Sequence, residues 1–358
     1  MTGPSPPPNR RLSGLLSDLA GAHGSGALRI DEFMTAALYD PDGGYYARAE
    51  TIGGARRDFS TIPSLSPLLG QAVARWALSL PKNGSRTLDI IEVGAGGGHL
   101  AAAILKAAGW WARRRIRYRI VEISPRLRQA QQKHLAGRRV TWHASVAEAA
   151  ARTESPVVVS NELVDAFPCR LFRFENDTWG ELRLPWPPPV DVQLSSHPVQ
   201  DLDPECYSAL APENWPNGKI PAGQVVEIHA SYRDWLGQWV PVAHPLNHLT
   251  IDYGDVMPEL YRGRTTGSFR GYLAHQRLTG SRVWRAPGTV DLTSDVNFTD
   301  LESWGIEYGL STREYSDQAG FLKRWLPDKL TANPSGELAA IMNPDGAGRA
   351  FKVLWQSG

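Results

Sequence analysis

The residues in this 358-residue sequence that could do chemistry cluster around one glycine run. Leu88 to Val93 is an apolar run with Glu92 near its end. The chain then breaks into Gly94-Ala95-Gly96-Gly97-Gly98 and resumes as His99-Leu100-Ala101-Ala102-Ala103-Ile104-Leu105. That pattern predicts a buried strand, a glycine turn and the first turn of a helix. Glycine lets a ligand lie against the backbone where a Cβ would block it, and it admits turn positions of positive φ. Two more acids fall at predicted strand ends, Glu122 and Glu162, and Asn161 and Asp165 flank the second. A single carboxylate at a strand end is ordinary surface. Three in register with one glycine turn describe a site that accepts hydrogen bonds from hydroxyls and compensates positive charge.

Two ligand classes use such a turn. Dinucleotide enzymes place a pyrophosphate on the helix N-terminus behind G-x-G-x-x-G. Here the sixth position is His99 and the third glycine comes one place early. Glu92, Gly94, Gly96 and Gly98 instead resemble the first motif of class I S-adenosylmethionine (SAM) methyltransferases, (Glu/Asp)-x-Gly-x-Gly-x-Gly. SAM has no pyrophosphate, but it has an amino-acid end and a ribose that an acid and backbone groups can hold. SAM is favoured over NAD. Glu122, closing the second predicted strand, is placed to accept from both ribose hydroxyls.

Alternating strand and helix signals predict the parallel sheet that would carry these residues. Strand one is Leu88 to Val93, followed by a helix over Leu100 to Trp111. Strand two is Arg117 to Glu122, followed by a helix over Pro125 to Leu135. Val140 to His143 is strand three, Val157 to Ser160 strand four and His248 to Tyr253 strand five. The expected fold is α/β, a Rossmann-like class I SAM methyltransferase sheet of seven mostly parallel strands. It carries an N-terminal helical cap and an insertion between strands four and five. Residues 1–12 are expected to be disordered, 13–80 to form the cap, and 81–358 the methyltransferase domain with a substrate-side insertion at 169–245. Leu171 to Leu184 alternates around Asn176-Asp177 and predicts a hairpin. Val225, Ile228, Tyr232, Trp235, Leu236 and Trp239 share a helical face, predicting a helix over Gln224 to Val240. Gly254 to Gly288 reads as long, arginine-rich and mostly irregular.

Composition excludes several functions. Hydrophobic residues make up 42% and charged residues 21%, with a net charge of +1. No global field marks the chain for nucleic acid or an anionic membrane. The cluster Arg113-Arg114-Arg115 with Arg117 and Arg119 reads as a solvated helix end running into a strand. Cys169 and Cys206 give neither a disulfide framework nor a metal-ligand spacing. His244 and His248 stand four apart with Pro245 between them and no third ligand, so no metal is expected. No run approaches the roughly 18 apolar residues of a membrane span. The N-terminus lacks a signal-peptide core and transit-peptide character, which makes the cytoplasm the expected location.

The resemblance extends along most of the chain. Tyr39-Asp40-Pro41-Asp42-Gly43-Gly44-Tyr45-Tyr46, Asp58-Phe59-Ser60-Thr61 and Ser66-Pro67 precede the glycine turn. Val121-Glu122-Ile123-Ser124-Pro125 with Leu127 and Gln129, and Asn161-Glu162 through Pro168, follow it. Ile251-Asp252-Tyr253-Gly254, His275, Pro287-Gly288, Asp291-Leu292-Thr293, Val296, Phe298 and Phe351-Lys352-Val353-Leu354 complete the order. This series resembles the MidA family, whose mitochondrial members are the NDUFAF7 assembly factors of respiratory complex I. The resemblance implies SAM as cofactor and a nucleophilic nitrogen as acceptor, most plausibly a protein arginine. Arg57-Asp58-Phe59 stands where the family has Gly-Asp-Phe, and Gly267-Ser268-Phe269-Arg270 where it tends to Gly-Thr-Leu-Arg.

On this reading Glu92, Gly94, Gly96, Gly98, Glu122 and Asn161 bind the cofactor. Glu162 and Asp165 are the catalytic pair. Asn161 and the acids after it have a second reading as helix caps. Two alternatives stand beside the protein acceptor: O- or N-methylation of a small molecule or peptide, and a SAM-binding assembly factor without catalysis. Turnover of SAM with an acceptor present separates the last from the others. Oligomeric state is not legible.

Overall fold

The computed structural model describes residues 10–47, 66–81, 87–273, 276–332 and 334–358. Arg57-Asp58-Phe59-Ser60-Thr61 and His275 lie outside the described residues. The chain divides into two compact units. One comprises Phe59–Leu163, Asp234–Gly254 and Leu301–Gly358, the other Met1–Asp58, Val164–Arg233 and Asp255–Asp300.

The first unit is built on seven strands: β1 (Leu88–Val93), β2 (Ile116–Val121), β3 (Val140–His143), β4 (Val157–Asn161), β5 (Asn247–Asp255), β6 (Ser311–Asp317) and β7 (Phe351–Ser357). They lie in the order β6-β7-β5-β4-β1-β2-β3. β1 to β5 run parallel to one another, and β7 runs antiparallel to both β5 and β6. Strands covered on both faces need apolar residues on both, and Val157, Val158, Val159, Ile90 and Ile91 are all 2% exposed or less. The chain proceeds outward from β1 through β2 to β3, then returns to lay β4 on the other side of β1. Strand order therefore reverses between β1 and β4, and ligands of open α/β sheets bind beyond the C-terminal strand ends at such a reversal.

Helix Leu68–Ser79, which the sequence placed in the N-terminal cap, belongs to this unit. It packs on helix His99–Ala107 so closely that a Cβ at Gly70 would collide with the Ala103 methyl. Trp76, fully buried, sits in the core this contact encloses, with Ile90, Leu100, Ile104 and Ile120.

The second unit carries an antiparallel sheet of Ala27–Arg29, Thr178–Pro185, Arg170–Glu175 and Val225–Ile228, with Ser195–Pro198 added to Thr178–Pro185. The hairpin forms where expected, turning through Asn176 and Asp177 at φ 51 and 58. The helix expected over Gln224 to Val240 starts later, spanning Ala230–Ala243. Val225–Ile228 is instead a strand paired with Arg170–Arg173 and buried at all four positions. A short buried run can satisfy a helical spacing by accident, and the two β-branched residues at its start favour the strand.

Gly254 to Gly288 is also more ordered than expected. Arg270–Leu273 is the middle strand of a three-stranded sheet between Gln276–Leu278 and Asp291–Thr293. Its alternation is disguised by Arg270, which is 8% exposed and paired with Asp295 at 2.7 Å.

Candidate active site

The glycine turn joins β1 to helix His99–Ala107. Gly94 donates its N–H to the Val121 carbonyl at 3.0 Å, tying the turn to the end of β2. Gly94, Gly96 and Gly98 have φ of 67, 52 and 78, and Gly98 is the helix N-cap. The three differ in what surrounds them. A Cβ at Gly94 would lie 2.8 Å from the Leu163 side chain, and one at Gly98 would lie 3.4 Å from Leu135. A Cβ at Gly96 would meet nothing within 4 Å. The space beside Gly96 is open, as a ligand against the backbone requires.

Glu92 lies beneath the turn, 3% exposed, and accepts a hydrogen bond from the Tyr118 hydroxyl at 2.7 Å. Burial pushes its carboxyl up to about 7. The Tyr118 bond opposes the rise and the negative charge of Glu122 adds to it. Because the folded pKa exceeds the ordinary value of 4.5, the fold favours the protonated form. That stabilisation is complete below about 4.5 and is lost as pH rises through about 7. Glu92→Gln removes the titration. We expect the stability of the variant relative to wild type to rise by about 3 kcal/mol between pH 4.5 and 8. Parallel denaturant curves in the two proteins across that range would contradict this.

Glu122 lies one residue beyond the end of β2 and is 7% exposed. One carboxylate oxygen accepts from the Ser124 N–H at 2.9 Å, the other from Gln131 Nε2 at 2.8 Å. Burial raises its pKa, and these bonds to the ionised form pull against the rise. Ser124 caps helix Pro125–His134, its hydroxyl accepting from the Leu127 N–H, with proline at the first turn.

Sequence reading missed Gln131. Fully buried, it donates from Nε2 both to Glu122 and to the Gly96 carbonyl at 2.9 Å, while its Oε1 accepts from the Trp142 indole at 2.9 Å. One amide thus fixes the second-strand acid relative to the glycine turn. The available signal was position: Leu127 and Gln131 are the two buried residues of their helix, four apart. Ile123, next to Glu122, is 66% exposed although apolar.

At the end of β4, Asn161 donates from Nδ2 to Glu162 at 3.2 Å. Its Oδ1 is buried with no hydrogen-bond partner. A buried acceptor left unsatisfied costs about 1–3 kcal/mol, so this atom is suited to receive a donor from a ligand. Glu162 has φ 51, a left-handed conformation uncommon for a residue with a Cβ. Two bonds hold the chain in it: the Glu162 N–H donates to the Ile251 carbonyl at 2.9 Å, and the Leu163 N–H to Asp252 Oδ2 at 3.1 Å. Asp252, fully buried on β5, is a second positioning residue to which sequence reading assigned no role. Strain held by surrounding structure is a mark of functional positions.

Asp165 belongs to the other unit, in the short 3-10 turn Val164–Ala166. It is 3% exposed, and its Oδ2 accepts from the Thr293 hydroxyl at 2.8 Å. Glu92, Gly94, Gly96, Gly98, Glu122, Asn161 and Glu162 all lie in the first unit, at the C-terminal ends of β1, β2 and β4. Among the described residues no cluster of three His, Cys, Asp or Glu is arranged to hold a metal ion.

Comparison with known proteins gives the family. A family described as "Putative S-adenosyl-L-methionine-dependent methyltransferase" matches residues 68–316. A COG1565 superfamily member from Burkholderia thailandensis, crystallised with S-adenosyl-homocysteine, superimposes with a TM-score of 0.79 at 26% identity, over 99% of this chain and 95% of that one. The chain is also similar to proteins named protein arginine methyltransferase NDUFAF7, mitochondrial. The Danio rerio relative is 27% identical over 77% of this chain and 68% of its own length, and the Xenopus tropicalis relative 25% identical over 92% and 82%. These names correct one expectation. The cytoplasmic location inferred from the N-terminal composition does not stand against relatives named as mitochondrial.

Proposed function

Because the chain belongs to this family of S-adenosyl-L-methionine-dependent methyltransferases, with SAM as its cofactor, we propose that its acceptor is an arginine guanidino nitrogen of a protein. The observation that carries the reading is Glu162, a carboxylate held in a left-handed turn at the end of β4, beside the strand that leads into the glycine turn. The names of the curated relatives support the same acceptor.

SAM supplies an electrophilic methyl group on a positively charged sulfur. The residues present fit its parts. Gly96 leaves room along the backbone, Glu122 accepts from the ribose hydroxyls, and Asn161 Oδ1 accepts from the ammonium of the amino-acid end. Glu92 beneath the turn offers the positive cofactor a compensating charge once ionised. Wild-type SAM affinity is therefore expected to rise with pH through about 7. Gln131→Met should weaken SAM binding about tenfold by freeing Glu122 from the turn. Titration calorimetry on the folded variant checks this, and unchanged affinity in Gln131→Met would refute the positioning role.

Glu162 does the work on the acceptor side. A guanidinium is planar and charged, and its nitrogen lone pairs are delocalised. A carboxylate pairing with two of its nitrogens fixes the plane and draws positive charge away from the third. That nitrogen would take the methyl group that SAM supplies, leaving the sulfur with its electron pair, and give its proton to water. Asp165 is buried, with its Oδ2 accepting from the Thr293 hydroxyl. Single-turnover transfer to a pair of peptides differing only by arginine or lysine tests the proposal. Methylation of the arginine peptide alone supports it; equal methylation of both, or of a hydroxyl or carboxyl, contradicts it.

A further inference from the structure

The basic run between β1 and β2 has a use that methyl transfer does not explain. Helix Gly109–Arg113 buries none of its residues. Trp110 is 49% exposed and Trp111 77%, and their rings meet edge to face with centroids 4.6 Å apart. Lys106, Arg113, Arg114, Arg115 and Arg117 are exposed around them. The next arginine, Arg119, is paired with Asp89. From Val93 to Val121 the chain has no aspartate or glutamate. A protein of net charge +1 therefore concentrates exposed cations around two adjacent indoles, on one short stretch. Tryptophan is a costly residue to leave in water. A solvated helix end needs neither indole.

The patch is also well placed. The Leu88 N–H donates to the Arg115 carbonyl at 2.8 Å, so this segment sits at the N-terminal ends of β1 and β2. The glycine turn is at the opposite ends, about 20 Å away along a six-residue strand. Whatever covers the patch leaves the cofactor end of the sheet free.

We propose that the surface from Lys106 to Arg117 docks this protein on an anionic phospholipid membrane, with the indoles in the headgroup layer and the arginines on lipid phosphates. Indoles concentrate at that depth, and each basic residue near an anionic surface adds attraction. No helix among the described residues is long and apolar enough to cross a membrane, so the attachment is peripheral. A single-stranded nucleic acid would need open ring faces for stacking. One face of Trp110 is already covered by the Arg114 guanidinium, 3.5 Å from the ring centroid. A folded protein partner needs about 800 Å² of shape-complementary surface on each side. A lipid surface demands no such shape match.

The test is flotation of the full chain with vesicles of phosphatidylcholine alone, and with phosphatidylglycerol at about one lipid in three. Binding is expected on the anionic vesicles, little on the neutral ones, and it should weaken as salt is raised. The triple variant Arg113→Glu, Arg114→Glu, Arg115→Glu should bind the anionic vesicles at least about 100-fold more weakly, counting roughly fivefold per lost arginine. Trp111→Ser should bind about tenfold more weakly while keeping its salt dependence. Both variants should retain wild-type SAM affinity, which shows that they are folded. Equal binding to neutral and anionic vesicles, or equal binding by wild type and the triple variant, would overturn the proposal. Failure of wild type to float together with tight binding of a mixed-sequence RNA oligonucleotide, lost in the triple variant, would overturn it in favour of a nucleic-acid surface.

Discussion

Glu162→Gln is expected to bind SAM within about twofold of wild type and to transfer methyl groups to an arginine peptide about 100- to 10,000-fold more slowly in a single turnover, the range typical of a lost acid–base or charge-stabilising group. Glutamine keeps the size of the side chain and can still hydrogen-bond to a guanidinium. It cannot draw positive charge from the attacking nitrogen. A companion variant separates chemistry from backbone strain. Glu162→Gly relieves the left-handed conformation at φ 51 and should leave the protein as stable as wild type or more so, by up to about 1 kcal/mol. It should lose transfer all the same. Full activity in Glu162→Gln would remove the carboxylate from the mechanism. A collapse of stability in Glu162→Gly would mean that the side chain is there for the fold.

Gly96→Val should lower SAM affinity by at least about 100-fold, a loss of roughly 3 kcal/mol. Nothing lies within 4 Å of a Cβ built there, so the branch point of the added side chain meets no protein atom. The conformational cost of a Cβ at φ 52 is about 1–2 kcal/mol and appears in stability. Binding measured on the folded variant therefore reports on the ligand. Gly96→Ala is expected to fall between wild type and valine. Gly94 makes the contrast, because a Cβ there meets Leu163 at 2.8 Å and should damage packing first. Calorimetry with SAM and S-adenosyl-homocysteine, alongside thermal melts, distinguishes the two glycines. Undiminished SAM binding by a folded Gly96→Val would place the ligand elsewhere.

The sheet was legible because its strands are buried on both faces and read as unbroken apolar runs between turn signals. Val157-Val158-Val159 and Ile90-Ile91 are the clearest cases, and Glu92, Glu122 and Glu162 fall at the C-terminal ends of β1, β2 and β4. The glycine turn was legible for a related reason, since three positive-φ positions in five residues leave few choices but glycine. Val225–Ile228 was lost to helix because four buried residues carry too little periodicity to identify themselves. The strand at Arg270 was lost because its inward residue is a charged one whose partner, Asp295, lies 25 residues away. Gln131 and Asp252 were beyond sequence reading for another reason. Each bonds to the backbone of a neighbouring element, Gln131 to Gly96 and Asp252 to Leu163, and neither residue type announces that partner. The cytoplasmic expectation rested on N-terminal composition alone, which is weak ground for location.

Where the methyl group goes decides the acceptor. The most direct measurement is to incubate the full chain with SAM carrying a deuterated methyl group and a protein lysate, then to locate the label by mass spectrometry of the digested proteins. Label is expected on arginine guanidino nitrogens, and is expected to be absent when Glu162→Gln replaces wild type. Label on lysine, on a hydroxyl or carboxyl group, or only in the small-molecule fraction would contradict an arginine acceptor.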